Sequence, residues 1–201
     1  MFGRELVRHA KEFARLARNF KYERTLSGIF FPSANAHIGF SYFGQTNGGP
    51  WEHLCHNLVP DEGLVYMLDV AAAGGTQLTA WYTALYGNAY TPVASLTALT
   101  FAGTAGEYAG PTEGYDELTR VLWQNDAVDS VNTEIVNDTT PATFTIASAS
   151  TLAVNGAALL SASAKGATNG VLLSAGRFTA TKTFDPGDEF NLKYKVDFDA
   201  T

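Results

Sequence analysis

The sequence EFNLKYKVDFD, residues 189–199, decides the fold. Its apolar and polar residues alternate with a period of two, which is the pattern of a β-strand with one buried and one solvated face. A turn sequence, Asp185-Pro186-Gly187-Asp188, stands directly before it and joins the fixed φ of proline to the permissive φ of glycine. The predicted buried side chains are Phe190, Leu192, Tyr194, Val196 and Phe198, and the predicted solvated ones are Asn191, Lys193, Lys195 and Asp197.

A strand with one buried face needs a second layer to pack on, and the chain after residue 75 contains further strand candidates. Short apolar or alternating runs recur there, separated by Gly, Pro and Asn residues that favour turns. The candidates are residues 79–86, 118–123, 143–147, 157–161 and 171–184, with turns predicted at Asn155-Gly156 and Lys165-Gly166. We therefore predict a mainly β fold, an antiparallel β-sandwich that is jelly-roll-like or immunoglobulin-like.

One short helix is predicted ahead of these strands, over residues 60–73. Pro60 suits a first helical turn, and the carboxylates of Asp61 and Glu62 suit the positive end of the helix dipole. The pair Gly74-Gly75 is a typical helix end. The predicted buried edge of this helix consists of Leu64, Met67 and Leu68.

The N-terminus has the pattern of an amphipathic helix over residues 3–24. Its apolar and cationic residues form two stripes on nearly opposite faces. We expect it to dock on the body or on a neighbouring subunit, with a polyanion such as nucleic acid or a membrane surface as alternatives. The apolar stripe is Leu6, Ala10, Phe13, Ala17 and Phe20, and the cationic stripe is Arg4, Arg8, Lys11, Arg15 and Arg18.

Residues 25–50 lack periodicity but are rich in Gly, Pro and aromatic residues. A flexible linker would lack the aromatics, so we expect an extended arm whose rings bury against another surface, with another subunit favoured. The alternative is a hairpin within the domain that pairs residues 29–31 with 39–43. The aromatic residues concerned are Phe30, Phe31, Phe40, Tyr42 and Phe43.

Charge divides the chain into a basic N-terminus and an acidic body. Residues 1–24 have seven basic and three acidic side chains, a balance of +4, and the rest of the chain carries −11. Charged residues make up 16% of the chain, below the roughly 25% of an average globular domain. A sparsely charged surface and opposite charges at the two ends favour a homo-oligomer or an assembly component. Because the body is acidic, we do not expect it to contact nucleic acid directly. We also expect no membrane span.

Candidate chemical sites are few. His53, Cys55 and His56 have the spacing of a partial metal site, but we interpret Cys55 as a buried thiol and expect no metal, because zinc sites usually have four ligands. No histidine follows His56, so the body lacks the commonest general base. Glu113, Asp116 and Glu117 are close in sequence, and with Tyr115 and Arg120 beside them we expect a structural ion pair. We therefore predict no catalytic residue, no cofactor and no enzymatic activity.

From Asn57 onward the chain resembles a family of small β-rich virion proteins of tailed bacteriophages. The similar segments are residues 57–64, 68–70, 79–82, 90–94, 115–120, 160–166 and the turn at 185–188 with the strand after it. This resemblance implies a structural component of the particle, located in the virion, with other virion proteins as partners. Residues 1–56 look like an addition to the shared core.

We therefore expect an assembly extension over residues 1–56 and a β-sandwich body over residues 57–201. The expected function is that of a capsid decoration or cement protein that binds the major capsid protein, with a neck, collar or tail component as the alternative. A carbohydrate- or cell-surface-binding module is an alternative of another class, in which Trp81, Tyr82, Tyr86 and Tyr90 stack on sugars. The predicted assembly interface comprises Leu6, Arg8, Phe13, Arg15, Phe20, Phe30, Phe31, Phe40, Tyr42 and Phe43.

Overall fold

The computed structural model describes residues 22–24, 30–32, 36–129 and 131–200, with side chains for residues 38–129 and 131–198. It divides into two compact units, residues 1–38 with 198–201 and residues 39–197. In the first unit, β1 (Tyr22–Arg24) pairs antiparallel with β2 (Phe30–Pro32). The predicted helix over residues 3–24 lies mostly outside the described residues, and it is wrong for its last three, which form β1.

The second unit contains two antiparallel sheets, which confirms the predicted β-sandwich. The larger sheet has the strand order β4-β3-β12-β9-β6, with β8 also paired to β12. The smaller sheet has the order β11-β10-β5-β7. Strands of the larger sheet are β3 (Ala36–Thr46), β4 (Glu52–His56), β6 (Gly114–Tyr115), β8 (Glu134–Ile135), β9 (Ala142–Ala147) and β12 (Glu189–Ala200). Strands of the smaller sheet are β5 (Tyr82–Tyr86), β7 (Val121–Leu122), β10 (Leu152–Leu160) and β11 (Leu172–Phe184).

The main core lies between the two sheets. Phe190, Leu192 and Tyr194 of β12 are fully buried there, as their alternation predicts, while Val196 packs at the margin. The ring of Phe190 contacts rings of β9 and β11. Its centre lies 6.3 Å from the ring centre of Phe144 and 4.8 Å from that of Phe184. The sequence pattern therefore predicts the inward face of this strand correctly from Phe190 to Tyr194, but it is wrong for Phe198, which is 48% exposed.

The preceding turn is also confirmed. Gly187 has a φ of 87°, a conformation that glycine adopts without strain. The backbone N–H of Asp188 donates to the carbonyl of Asp185 at 3.1 Å, and a carboxylate oxygen of Asp188 accepts from the N–H of Asp185 at 2.7 Å. The turn is thus closed by both backbone and side chain.

A second core covers the other face of the smaller sheet. Helix α2 (Ala98–Phe101) and the π-helical turn that follows it, Ala102–Gly106, pack there. Strand β5 and the second half of β10, residues 156–160, are therefore buried on both faces, which removes the alternation of polar residues that marks a half-exposed strand.

Gly156 lies inside β10, so the turn predicted at Asn155-Gly156 is wrong. The pairing of β10 with β11 shifts register between Val154 and Gly156. A Cβ atom at residue 156 would lie 2.2 Å from the ring of Tyr86 and 2.3 Å from the carbonyl oxygen of Gly176. The glycine permits close approach of neighbouring strands rather than a reversal of the chain. By contrast, the turn predicted at Lys165-Gly166 is present, with a φ of 70° at Gly166.

The two sheets join along one edge. Leu58, just after β4, exchanges two backbone hydrogen bonds with Ala175 of β11, at 2.9 and 3.0 Å. Further along, the Thr179 hydroxyl donates to the carbonyl of Leu54 at 2.7 Å. These contacts cover strand edges that would otherwise expose unpaired backbone groups.

Helix α1 (Asp61–Leu68) continues as a π-helical turn over Asp69–Ala73 and ends at Gly74. Its predicted extent is confirmed, but its predicted buried edge is wrong, because Leu64 and Leu68 are exposed and only Met67 packs on the core. The buried residue is Gly63, where a Cβ atom would lie 2.4 Å from the carbonyl oxygen of Leu173. At Gly63 the backbone of the helix therefore lies directly against β11. None of the helices in the described part of the chain is long and apolar enough to cross a membrane.

Candidate functional site

Most of the predicted assembly residues fall outside the part of the chain for which side chains are described. Five of them lie in the N-terminal part of the chain that the structure does not describe, and two lie in β2 with only their backbone described. Their role as interface residues stays a prediction. The first group is Leu6, Arg8, Phe13, Arg15 and Phe20, and the second is Phe30 and Phe31.

Phe40 and Tyr42 do not form an assembly surface, which corrects their predicted role. Their exposed fractions are 7% and 0%, and the Tyr42 ring lies 5.0 Å from the ring of Tyr194 in the main core. Residues 39–56 belong to the same compact unit as residues 57–197, while the predicted division into an assembly extension and a body stays a prediction. The alternative hairpin is not observed either, because β2 pairs with β1 and not with β3.

Phe43 has the opposite orientation and reaches the outer face of the larger sheet. There it lines an open cleft of about 250 Å³. The cleft lies over the solvated side of β12, which the alternating sequence predicts correctly. The cleft residues are Phe43, Trp51, Glu134, Val136, Asp138, Lys193 and Lys195.

The charged groups of the cleft neutralise one another. The ammonium of Lys193 lies 2.6 Å from the Asp138 carboxylate and 3.9 Å from the centre of the Trp51 ring. The ammonium of Lys195 lies 3.3 Å from the Glu134 carboxylate. Both ion pairs are partly exposed, so each contributes little to stability. The cleft therefore combines an aromatic wall with paired charges, an arrangement suited to contact with an amphipathic surface or ligand.

Strand β4 presents a second cluster beside Phe43. Tyr42 pairs with Cys55 and Phe43 pairs with His53, so Leu54 is an extra residue in the ladder. This bulge turns Leu54 and Cys55 inward together, while His53 and His56 both face outward. The thiol of the predicted partial metal site is thus separated from its two histidines, and Cys55 is buried as the sequence analysis proposed.

The two imidazole rings lie side by side on the outer face. Their ring centres are 4.6 Å apart, and the Phe43 ring meets that of His53 edge-on at 5.2 Å. Nδ1 of His56 shares a hydrogen bond of 3.1 Å with the Ser41 hydroxyl. Desolvation, and secondly the charge of His56, lower the pKa of His53 below its ordinary value of 6.5. Among the described residues, no three His, Cys, Asp or Glu side chains gather as a metal site.

The acidic residues near Arg120 are structural, but its partner differs from those predicted. Glu117 accepts a hydrogen bond from the N–H of Thr145 at 3.0 Å. Arg120 instead forms a bidentate pair with Glu107, with two N–O distances of 2.7 Å. The sequence gives no signal for this pair, because the two residues lie on different loops.

The aromatic set considered for sugar stacking does not form one exposed platform. Tyr86 is fully buried. Trp81 packs on the main core and meets the ring of Tyr66 edge-on at 5.3 Å. Tyr90 packs against the second core. Trp51, which sequence reasoning missed, lines the cleft, and the Lys193 ammonium covers one face of its ring.

Because Cys55 is buried, we expect the stability of the folded protein to fall as the pH becomes alkaline. Burial raises the pKa of the thiol from 9.0 to about 12, so above pH 9 the unfolded chain loses this proton while the folded chain keeps it. We therefore expect the free energy of unfolding to fall by about 1.4 kcal/mol between neutral pH and pH 10 from this group alone. Urea denaturation of the parental protein and of Cys55→Ala across that range measures the difference. An identical pH dependence of the two proteins contradicts the prediction.

No protein family matches the chain, and no curated protein or solved structure is significantly similar to it.

Proposed function

We propose that the protein is a non-enzymatic structural component of a tailed-phage particle, a decoration protein that binds the major capsid protein and copies of itself. The resemblance of residues 57–201 to small virion proteins supports this proposal, and so does the sandwich body. The observation that carries it is the outward face of helix α1. The alternative placement is a neck, collar or tail position.

Three aliphatic side chains form this face. Leu64, Val65 and Leu68 are 48%, 67% and 67% exposed, and their spacing puts them on one side of the helix. Fully burying such a side chain contributes about 1.5–3 kcal/mol. A cluster of three on one helix is typical of a protein interaction surface rather than of scattered surface residues.

The body holds this face in a fixed position. A Glu62 carboxylate oxygen accepts hydrogen bonds from the N–H of Ala98 at 2.8 Å and of Leu172 at 2.7 Å. The Tyr66 hydroxyl accepts a further one from the N–H of Leu78 at 2.8 Å. Because the helix is already ordered, a partner would not have to order it on binding, which lowers the entropy cost.

We expect Val65→Asp with Leu68→Asp to abolish binding to phage capsids while leaving the thermal midpoint nearly unchanged, since both side chains are exposed. The measurement is co-sedimentation of the purified protein with capsids that lack it, followed by quantification of bound copies. Leu118→Asp is the matched control, because Leu118 is 93% exposed and lies on a different segment. Undiminished binding of the double variant contradicts the proposal.

The copy number of the parental protein separates the two placements. Bound copies in proportion to the major capsid protein support decoration of the shell. A single ring of copies per particle supports a neck, collar or tail position, since such components follow cyclic symmetry. Absence from purified particles contradicts both.

A further inference from the structure

We propose that His53 and His56 form a two-imidazole site for a divalent transition cation, of the class Zn²⁺, Ni²⁺ or Cu²⁺, on the outer face of the larger sheet. This inference goes beyond the proposed function and does not depend on it. It rests on the placement of two exposed histidines by the bulge in β4.

The bulge is the feature that makes the site. Residues three apart on a regular strand point to opposite faces. With Leu54 inserted as an extra residue, His53 and His56 return to the same face, with ring centres 4.6 Å apart. Bulges commonly re-aim side chains at functional sites in this way.

Neighbouring side chains orient both rings. Ser41 is buried, and its hydroxyl lies 3.1 Å from Nδ1 of His56. In the tautomer whose Nδ1–H donates to this hydroxyl, the lone pair of Nε2 is free for a cation. Such a second hydrogen bond is usual for metal-binding histidines. The Phe43 ring limits the movement of His53 from its other side.

The ligand chemistry selects the cation. Neutral imidazole binds Zn²⁺, Cu²⁺ and Ni²⁺, whereas Mg²⁺ and Ca²⁺ require oxygen ligands. No third His, Cys, Asp or Glu of the described residues completes the site, so water fills the remaining positions. Affinity should therefore be highest for Cu²⁺, which binds a given set of ligands most tightly among these cations.

Isothermal titration of the full-length, untagged and metal-free protein with Cu²⁺ and with Zn²⁺ tests the site. We expect saturable binding of one equivalent, weakened at least about 10-fold by His53→Ala or His56→Ala. We expect Ser41→Ala to weaken it by about 10-fold, the usual effect of removing the hydrogen-bond partner of a metal-binding histidine. His37→Ala is the matched control, since it removes one histidine and leaves the pair intact. Mg²⁺ should give no heat of binding at this site.

Electron paramagnetic resonance of the Cu²⁺-loaded parental protein provides a measurement that needs no variant. Coupling to two imidazole nitrogens supports the site, and coupling to one nitrogen or none overturns it. The proposal is also overturned if the parental protein and both single histidine variants bind the cation with equal affinity. It is likewise overturned if His37→Ala weakens binding as much as His53→Ala or His56→Ala does.

Discussion

Replacement of Arg120 by alanine should lower the free energy of unfolding by about 3–5 kcal/mol, the usual cost of leaving one member of a buried ion pair without its partner. Both side chains of the pair, Arg120 and Glu107, are fully buried. The variant would leave the Glu107 carboxylate in the interior with neither of its two 2.7 Å hydrogen bonds to the guanidinium.

Arg120 also holds a loop that has no regular structure of its own. Its guanidinium donates to the carbonyl of Ala162 at 2.9 Å and to that of Ala167 at 3.1 Å. The backbone N–H of Arg120 donates to Ser163 at 2.8 Å. Loss of the side chain therefore removes the charge partner of Glu107 and both hydrogen bonds to these carbonyl groups, and each of these effects is destabilising.

Urea denaturation measures this loss, and Lys182→Ala is its control. Lys182 pairs with Glu52 at the surface, where the two side chains are 28% and 57% exposed, so its removal should cost no more than about 1 kcal/mol. Double replacement with Arg120→Met and Glu107→Leu should cost less than Arg120→Ala, since no charge stays buried alone. Equal costs for Arg120→Ala and Lys182→Ala contradict the prediction.

Phe190→Ala should lower the free energy of unfolding by about 3–5 kcal/mol, as expected for deleting a buried aromatic ring. Phe190 is 1% exposed, and its ring contacts those of Phe144, Phe178 and Phe184 from two other strands, β9 and β11. The cavity left behind would lie where both sheets meet, so neither sheet could close it without a shift of its strands.

Denaturant unfolding of Phe190→Ala, Phe190→Leu and Leu118→Ala measures the free energy of unfolding of each variant. The comparison distinguishes the effect of losing this ring from the effect of truncating any apolar side chain. Phe190→Leu keeps part of the apolar volume and should cost less than Phe190→Ala. Leu118→Ala removes a surface side chain and should change stability by no more than about 0.5 kcal/mol. A cost for Phe190→Ala as small as that of Leu118→Ala would show that the ring does not bridge the two layers.

Strands with one exposed face are the elements that local pattern predicts well. Alternation locates both β9 and β12, because in each the inward residues are apolar and the outward residues are polar. The turn at residues 185–188 follows from the φ preferences of proline and glycine. In the candidate site, the same reasoning places Lys193 and Lys195 on the solvated face.

Local pattern fails where two layers bury an element or a partner comes from a distant segment. The run predicted at residues 79–86 contains β5, whereas the run predicted at residues 157–161 covers only the second half of β10. Gly156 suggests a turn, yet it lies within a strand because the Tyr86 ring occupies the space of a Cβ atom. Trp51 and Phe43 come together with Lys193 only through pairing of strands far apart in sequence.

The sequence by itself determined the β class, the last strand with its turn, the burial of Phe190, Leu192 and Tyr194 in that strand, and the extent of helix α1, because each depends on side-chain periodicity or backbone preference within a few residues. Only the tertiary structure decided that residues 39–56 belong to the body, that Arg120 pairs with Glu107, and that a bulge brings His53 and His56 together. These features depend on contacts between residues distant in the chain. The free energy that stabilises such contacts comes from burial and charge pairing between distant segments, and a local sequence pattern does not show which segments will meet.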